Sequence, residues 1–162
     1  MAFKPAPDSL SPDTLLALDN QVCFALYSSS LAMTRLYKPL LADLGLTYPQ
    51  YLTMLALWEH GGAGDGQTVS QLGDLLLLDS GTLTPLLKRL EVLELVQRKR
   101  SADDERRVHI QLTAKGRKLK SRAARIPACV LAASQCSLDE LVSLNRQVRQ
   151  FRTRLLNPPS TD

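Results

Sequence analysis

Cysteine and histidine are both scarce in this 162-residue chain, with three of the first (Cys23, Cys129, Cys136) and two of the second (His60, His109). An odd cysteine count without metal-ligand spacing supports neither a disulfide framework nor a zinc site. No cofactor is expected. Aromatic residues are 5% of the chain, and no apolar run approaches the ~20 residues that a membrane span needs. No membrane contact is expected. The opening MAFKPAPDSLSPD holds two acids, three prolines and no apolar core segment, so it does not read as a secretory leader, and a cytoplasmic protein is expected. The length excludes a multi-module enzyme and fits a single domain, or one whose long helices are completed by a second copy. There is no internal repeat.

What the chain does have is unevenly placed charge. From Lys88 to Arg125 there are thirteen basic residues and five acids, +8, against seven and eleven, −4, elsewhere. Positive charge concentrated on an otherwise acidic protein is the footprint of a polyanion binder, although a solvated face has the same composition. The local architecture has to decide between them.

Residues 1–12 read as an arm and 157–162 as a frayed end. Between 19 and 44, Val22, Leu26, Met33, Leu36, Leu40 and Leu44 recur with a helical period that Pro39 is expected to kink or end early. Thr47-Tyr48-Pro49-Gln50 caps a second helix carrying Tyr51, Leu52, Leu55 and Trp58, which the glycine cluster after His60 ends. Two helical segments follow, 69–78 and 80–95, the second capped by Asp79 or Ser80. Strand-like segments at 96–100 and 107–112 flank a charged tip, 101–106. Thr113 opens a basic helix running to about Arg125, where Pro127 disturbs it, and Ser137-Leu138-Asp139-Glu140 is a capping box opening the last helix. The expected fold is mainly α with a small β-hairpin wing, a winged helix-turn-helix over 46–112. The helices at 13–45 and 113–156 form a dimerisation region, because their apolar stripes have too little chain to cover them. Packing of the outer helices on each other within one chain is the alternative.

A recognition helix needs short polar side chains near its start to approach base edges and basic ones further on to reach phosphates. Ser80, Thr82 and Thr84, then Lys88 and Arg89, meet that description. Arg100 and Arg107 flank the hairpin tip, where Arg106 is placed to enter a minor groove with Asp104 orienting it. An Asp104–Arg106 surface ion pair is the plainer reading. The segment DSGTLTPLLKRLEVLELVQRKRSADDERRVHIQLTAKG, Asp79 to Gly116, closely resembles the multiple-antibiotic-resistance regulator (MarR) family in its D-x-R wing, I-x-L-T strand end and following glycine. Over residues 12 to 155 the resemblance implies a homodimer of winged-helix subunits repressing transcription at a pseudo-palindromic double-stranded DNA operator. One departure is Glu94, where the family usually has glycine.

Cys23 falls about one turn after Asp19, a possible cap. Amides at a helix start favour a thiolate, while a neighbouring carboxylate opposes it. Taken alone, such a cysteine is ordinarily an inert core residue. Tyr37 lies fourteen residues on, nearly the same helix face but ~21 Å away along the axis, so it cannot touch its own Cys23. An antiparallel partner helix would bring Tyr37 and Tyr48 of the other subunit to the sulfur, where phenol protons hold a thiolate or polarise a peroxide. LDNQVCFALYS with YKPLLADLGLTYPQYL behind it resembles the organic-hydroperoxide-sensing branch (OhrR) of that family. The resemblance implies that Cys23 is the peroxide sensor, that Tyr37 and Tyr48 support it, and that a resolving cysteine in the C-terminal region bonds to the sensor of the other subunit. Cys129, after Pro127, is preferred for that role, with Cys136, before the Ser137 cap, as the alternative. Oxidation would then release the operator.

Other readings remain open on sequence. A regulator of the same family released by a non-covalent phenolic ligand needs no thiol chemistry. A thiol peroxidase would turn peroxide over at Cys23, but the chain lacks alternating strands and helices, so an enzyme is not expected.

Overall fold

The computed structural model describes residues 11–61, 66–100 and 108–158. Ser11 caps a short helix α1 (Pro12–Leu16), accepting from the Thr14 amide, and a 3-10 turn (Leu18–Asn20) leads into the 21-residue α2 (Val22–Ala42). Of the expected arm, only its last residue, Pro12, is helical among the described residues. Pro39 neither kinks α2 into two elements nor stops it at once, and the helix ends three residues later. Gly45, at φ +67°, turns the chain. A capping box of Thr47 and Gln50 opens α3 (Tyr48–His60), with Pro49 in its first turn, where a missing N–H costs nothing.

Strand β1 (Gln67–Thr68) was not visible in the sequence, being two residues long. Helices α4 (Val69–Leu76) and α5 (Ser80–Val92) form the helix-turn-helix, and β2 (Val96–Arg100) and β3 (Val108–Leu112) form the hairpin. The sheet is antiparallel in the order β1-β3-β2, with Val96 opposite Leu112 and Arg100 opposite Val108. Helix α6 (Ala114–Ala123) is capped by Thr113. The disturbance expected at Pro127 is a break: a turn at 124–125 and a new helix, α7 (Ile126–Ser134), with proline in its first turn. A capping box of Ser137 and Glu140 opens α8 (Leu138–Leu156).

The core is centred on the winged-helix lobe and is mostly leucine, with Leu41 of α2, Leu119 of α6 and Ile126 of α7 joining it from outside. Leu57, Leu72, Leu83, Leu87, Leu90 and Ile110 are fully buried, packing α3, α4 and α5 on the sheet. Gly116 belongs to this packing, because a Cβ there would collide with the Leu95 carbonyl oxygen. Gly116→Ala is expected to destabilise the protein by about 3 kcal/mol through forced backbone movement. A loss under 1 kcal/mol in urea titration would contradict that account.

Outside this lobe, α2 and α8 are nearly bare. Among the described residues α2 buries only Leu41 and α8 buries none, so the two do not cover one another as one intramolecular alternative required. Val22 (58% exposed), Leu144 (54%) and Leu155 (63%) stand on these open faces. No helix among the described residues is long and apolar enough to cross a membrane.

Glu94, the departure from the family pattern, occupies the left-handed region at φ 59°, which explains why glycine suits the position. The strain, ~1–2 kcal/mol, is partly offset by an exposed ion pair of Glu94 with Lys115 at 3.1 Å, worth ~0.2–1 kcal/mol. Glu94→Gly is expected to stabilise the fold by about 0.5–1 kcal/mol, raising Tm by about 2 °C. An unchanged or lowered Tm in calorimetry would show that the ion pair matters more than the strain.

Candidate nucleic-acid interface and thiol site

Helix α5 is anchored by Leu83, Leu86, Leu87 and Leu90, which turn its opposite face outward. Ser80, Thr84 and Lys88, four residues apart, form one exposed stripe, with Arg89 exposed beside it. The cap is Asp79: its carboxylate accepts from the Thr82 amide (2.9 Å) and hydroxyl (2.8 Å). Thr82 thus commits its hydroxyl proton to the helix start and presents only acceptor capacity outward. These bonds, the amide first, hold the Asp79 carboxyl below its ordinary range. Because the folded pKa is depressed, the cap's stabilisation is present above the unfolded value and lost as pH falls through the folded one. Acid below about pH 4 is therefore expected to loosen the start of α5, and Asp79→Asn to move that loss out of the acid limb of a pH–stability curve.

Pro85 sits inside α5 at its sixth position, and its missing N–H leaves the exposed Gly81 carbonyl to solvent. Arg98 pairs with Glu91 at 2.9 Å, tying the hairpin to the recognition helix, and Arg100 is exposed at the end of β2. Asp104, Arg106 and Arg107 lie outside the described residues.

The basic run that looked uniform in sequence has two parts. Apart from Arg98, the cations of α5 and β2 face outward, whereas most of those at 115–125 are tied down. Arg117 donates to the Leu112 carbonyl, Lys120 to that of Trp58, Arg122 to that of Asp43, and Arg125 pairs with the Asp43 carboxylate. They join lobe to helices.

Cys23 is exposed. Gln21, not Asp19, is the N-cap of α2, so the thiol sits at the second helical position, nearer the helix start than the sequence suggested. Fourteen residues along the same continuous helix, Tyr37 meets Tyr48 of α3 with ring centroids 4.6 Å apart, and Tyr51 joins at 5.7 Å. The structure thus brings the two tyrosines together and keeps them ~21 Å from the cysteine of their own chain. Tyr51 was read only as an apolar helix position, although its i+3 spacing from Tyr48 places both on one face. Tyr27, four residues after Cys23 on α2, is 61% exposed in the protomer. Burial, then the neighbouring Tyr48 and Tyr51, pushes the Tyr37 phenol up to about 12; Tyr48 is also raised by burial. Both remain hydrogen-bond donors at neutral pH. A raised folded pKa means that this contribution is complete below pH 10 and is lost as pH rises from 10 through about 12. Tyr37→Phe is expected to flatten that alkaline loss.

Cys129 is exposed on α7, where its amide donates to the Arg125 carbonyl at 3.2 Å. Cys136 is half-buried in the bend before α8, its thiol donating to the Ser134 carbonyl at 3.3 Å. All three cysteines are free.

A family model described as "Transcriptional regulator SarA/Rot" matches residues 35–123. The organic hydroperoxide resistance transcriptional regulator of Bacillus subtilis (strain 168) is 52% identical over 129 residues, 80% of this chain and 85% of that one. Two solved structures of AbfR, a protein of Staphylococcus epidermidis, are each 36% identical. Reduced AbfR bound to DNA matches with TM-score 0.63 over 86% of this chain and 96% of that one. Disulfide-formed AbfR matches with TM-score 0.55 over 83% and 91%.

Proposed function

The chain belongs to the organic hydroperoxide resistance regulator branch of the MarR family, winged-helix regulators of transcription, and on that premise we propose that it is a homodimeric repressor whose operator is released when an organic hydroperoxide oxidises Cys23. The observation that carries this reading is the separation within one protomer: an exposed thiol at one end of α2 and a Tyr37–Tyr48 ring contact at the other. Two α2 helices lying antiparallel put each thiol against the tyrosine pair of the other subunit, and the bare faces of α2 and α8 are the surface such a partner covers.

The chemistry begins with the Cys23 thiolate attacking the distal peroxide oxygen. The O–O bond breaks, the alkoxide leaves and takes a proton to become an alcohol, and the sulfur becomes sulfenic acid. The Tyr37 and Tyr48 hydroxyls, kept protonated by burial, donate first to the thiolate and then to the leaving oxygen. A second thiol attacks the sulfenic sulfur, expelling water and forming a disulfide. Cys129 suits this step better than Cys136, being exposed on a helix where Cys136 is half-buried and bonded to Ser134. The relative with both a DNA-bound reduced form and a disulfide form supports a thiol switch in this chain.

DNA would be read by Ser80, Thr82 and Thr84, with Lys88, Arg89, Arg100 and Arg107 holding phosphates and, at the wing, Arg106 entering the minor groove with Asp104 orienting it. Two recognition helices must stand one DNA turn apart, ~34 Å, so a modest shift between subunits is enough for release. The test takes an operator selected from a random duplex pool at fixed salt. Organic hydroperoxide is expected to weaken binding at least tenfold, and dithiothreitol to restore it. Unchanged affinity with Cys23 verifiably oxidised would refute the switch.

A further inference from the structure

An open groove of about 510 Å³ lies between the end of α5, the turn after α2 and α6 itself. Its floor is Leu44, Leu93, Leu95 and Leu119, and its rim carries Lys115, Lys118 and Arg122. We propose that this groove binds an aliphatic monocarboxylate, a free medium-chain fatty acid, with the alkyl chain on the leucines and the carboxylate at Lys118 and Arg122.

Three observations choose that occupant. The volume is in the range of small-molecule sites, ~300–1,000 Å³, and the lining has neither an aromatic ring nor an acid. An aromatic or polyhydroxylated guest would find nothing to stack on or to accept its hydroxyls. The rim charge is only partly satisfied: Lys115 meets Glu94 and Arg122 uses one donor on the Asp43 carbonyl. The ammonium group of Lys118 has no hydrogen bond or ion pair among the described residues. An anion supplies the partner, and the guanidinium of Arg122 retains donors for a second contact. The groove is separate from Cys23 and from the Ser80–Thr84–Lys88 stripe, so the proposal does not depend on the thiol switch.

Full-length reduced protein would be titrated with decanoate below its micelle concentration, by calorimetry and by fluorescence of Trp58. That residue is the single tryptophan, and its indole donates to the Gly116 carbonyl of α6 at 2.9 Å. One decanoate per chain is expected, bound at least tenfold more tightly than decanol or decyltrimethylammonium and at least threefold more tightly than octanoate. Lys118→Glu, an exposed change, is expected to weaken decanoate at least tenfold with an unchanged melting curve. Equal binding of decanol would show that the rim charge plays no part, and undiminished binding to Lys118→Glu would place the ligand elsewhere. Either overturns the proposal, as does no binding at all.

Discussion

Cys23→Ser is expected to leave reduced-state operator affinity within twofold of wild type and to abolish its response to organic hydroperoxide. The side chain is exposed and makes no contact on which the winged-helix lobe depends, so the lobe and its Ser80–Thr84–Lys88 stripe should be untouched. A hydroxyl has no thiolate form near neutral pH and no sulfenic state, so a response of tenfold or more falls to none. Gel-shift titrations with and without the peroxide measure both quantities. A Cys23→Ser protein still released by the peroxide would shift the sensing to Cys129 or Cys136, and release only by a phenolic compound would favour a non-covalent effector.

Leu144→Asp on α8 is expected to have the second largest effect, converting the protein to monomer at micromolar concentration and lowering operator affinity by at least a hundredfold. A 19-residue helix with no buried residue gains little from propensity alone and owes its stability to packing of an apolar face. Leu141, Leu144, Val148, Phe151 and Leu155 form that face at helical spacing. A carboxylate at its middle would have to be desolvated against a second copy. The monomer retains one half-site and loses the avidity of two. Sedimentation that still shows a dimer would move the interface off this face, to α1 or the start of α2.

Much of this architecture was legible because its signals are local. The cap of α5 and the capping boxes at Thr47 and Ser137 follow from residues three or four apart, and the structure places helix starts there within a residue. The elements that escaped are those whose signal is weak or tertiary. The two-residue β1 exists only because β3 offers it an edge. At Pro127 the sequence shows a helix disrupted, but not that the same proline starts α7. The basic run at 115–125 reads as one electrostatic patch because sequence cannot show that Arg117, Lys120 and Arg122 end on backbone carbonyls. The Tyr37–Tyr48 pairing was legible only as an intersubunit idea; the contact inside one protomer, which preforms the phenol pair, depends on how α2 crosses α3.

Intact mass under non-reducing conditions, after one equivalent of an organic hydroperoxide, tests the central claim most directly, because it needs no operator. The account predicts a covalent dimer in wild type, none in Cys23→Ser, and a Cys23–Cys129 peptide on mapping. Wild-type protein that keeps its monomer mass with Cys23 unmodified, while the peroxide is still present, would contradict it.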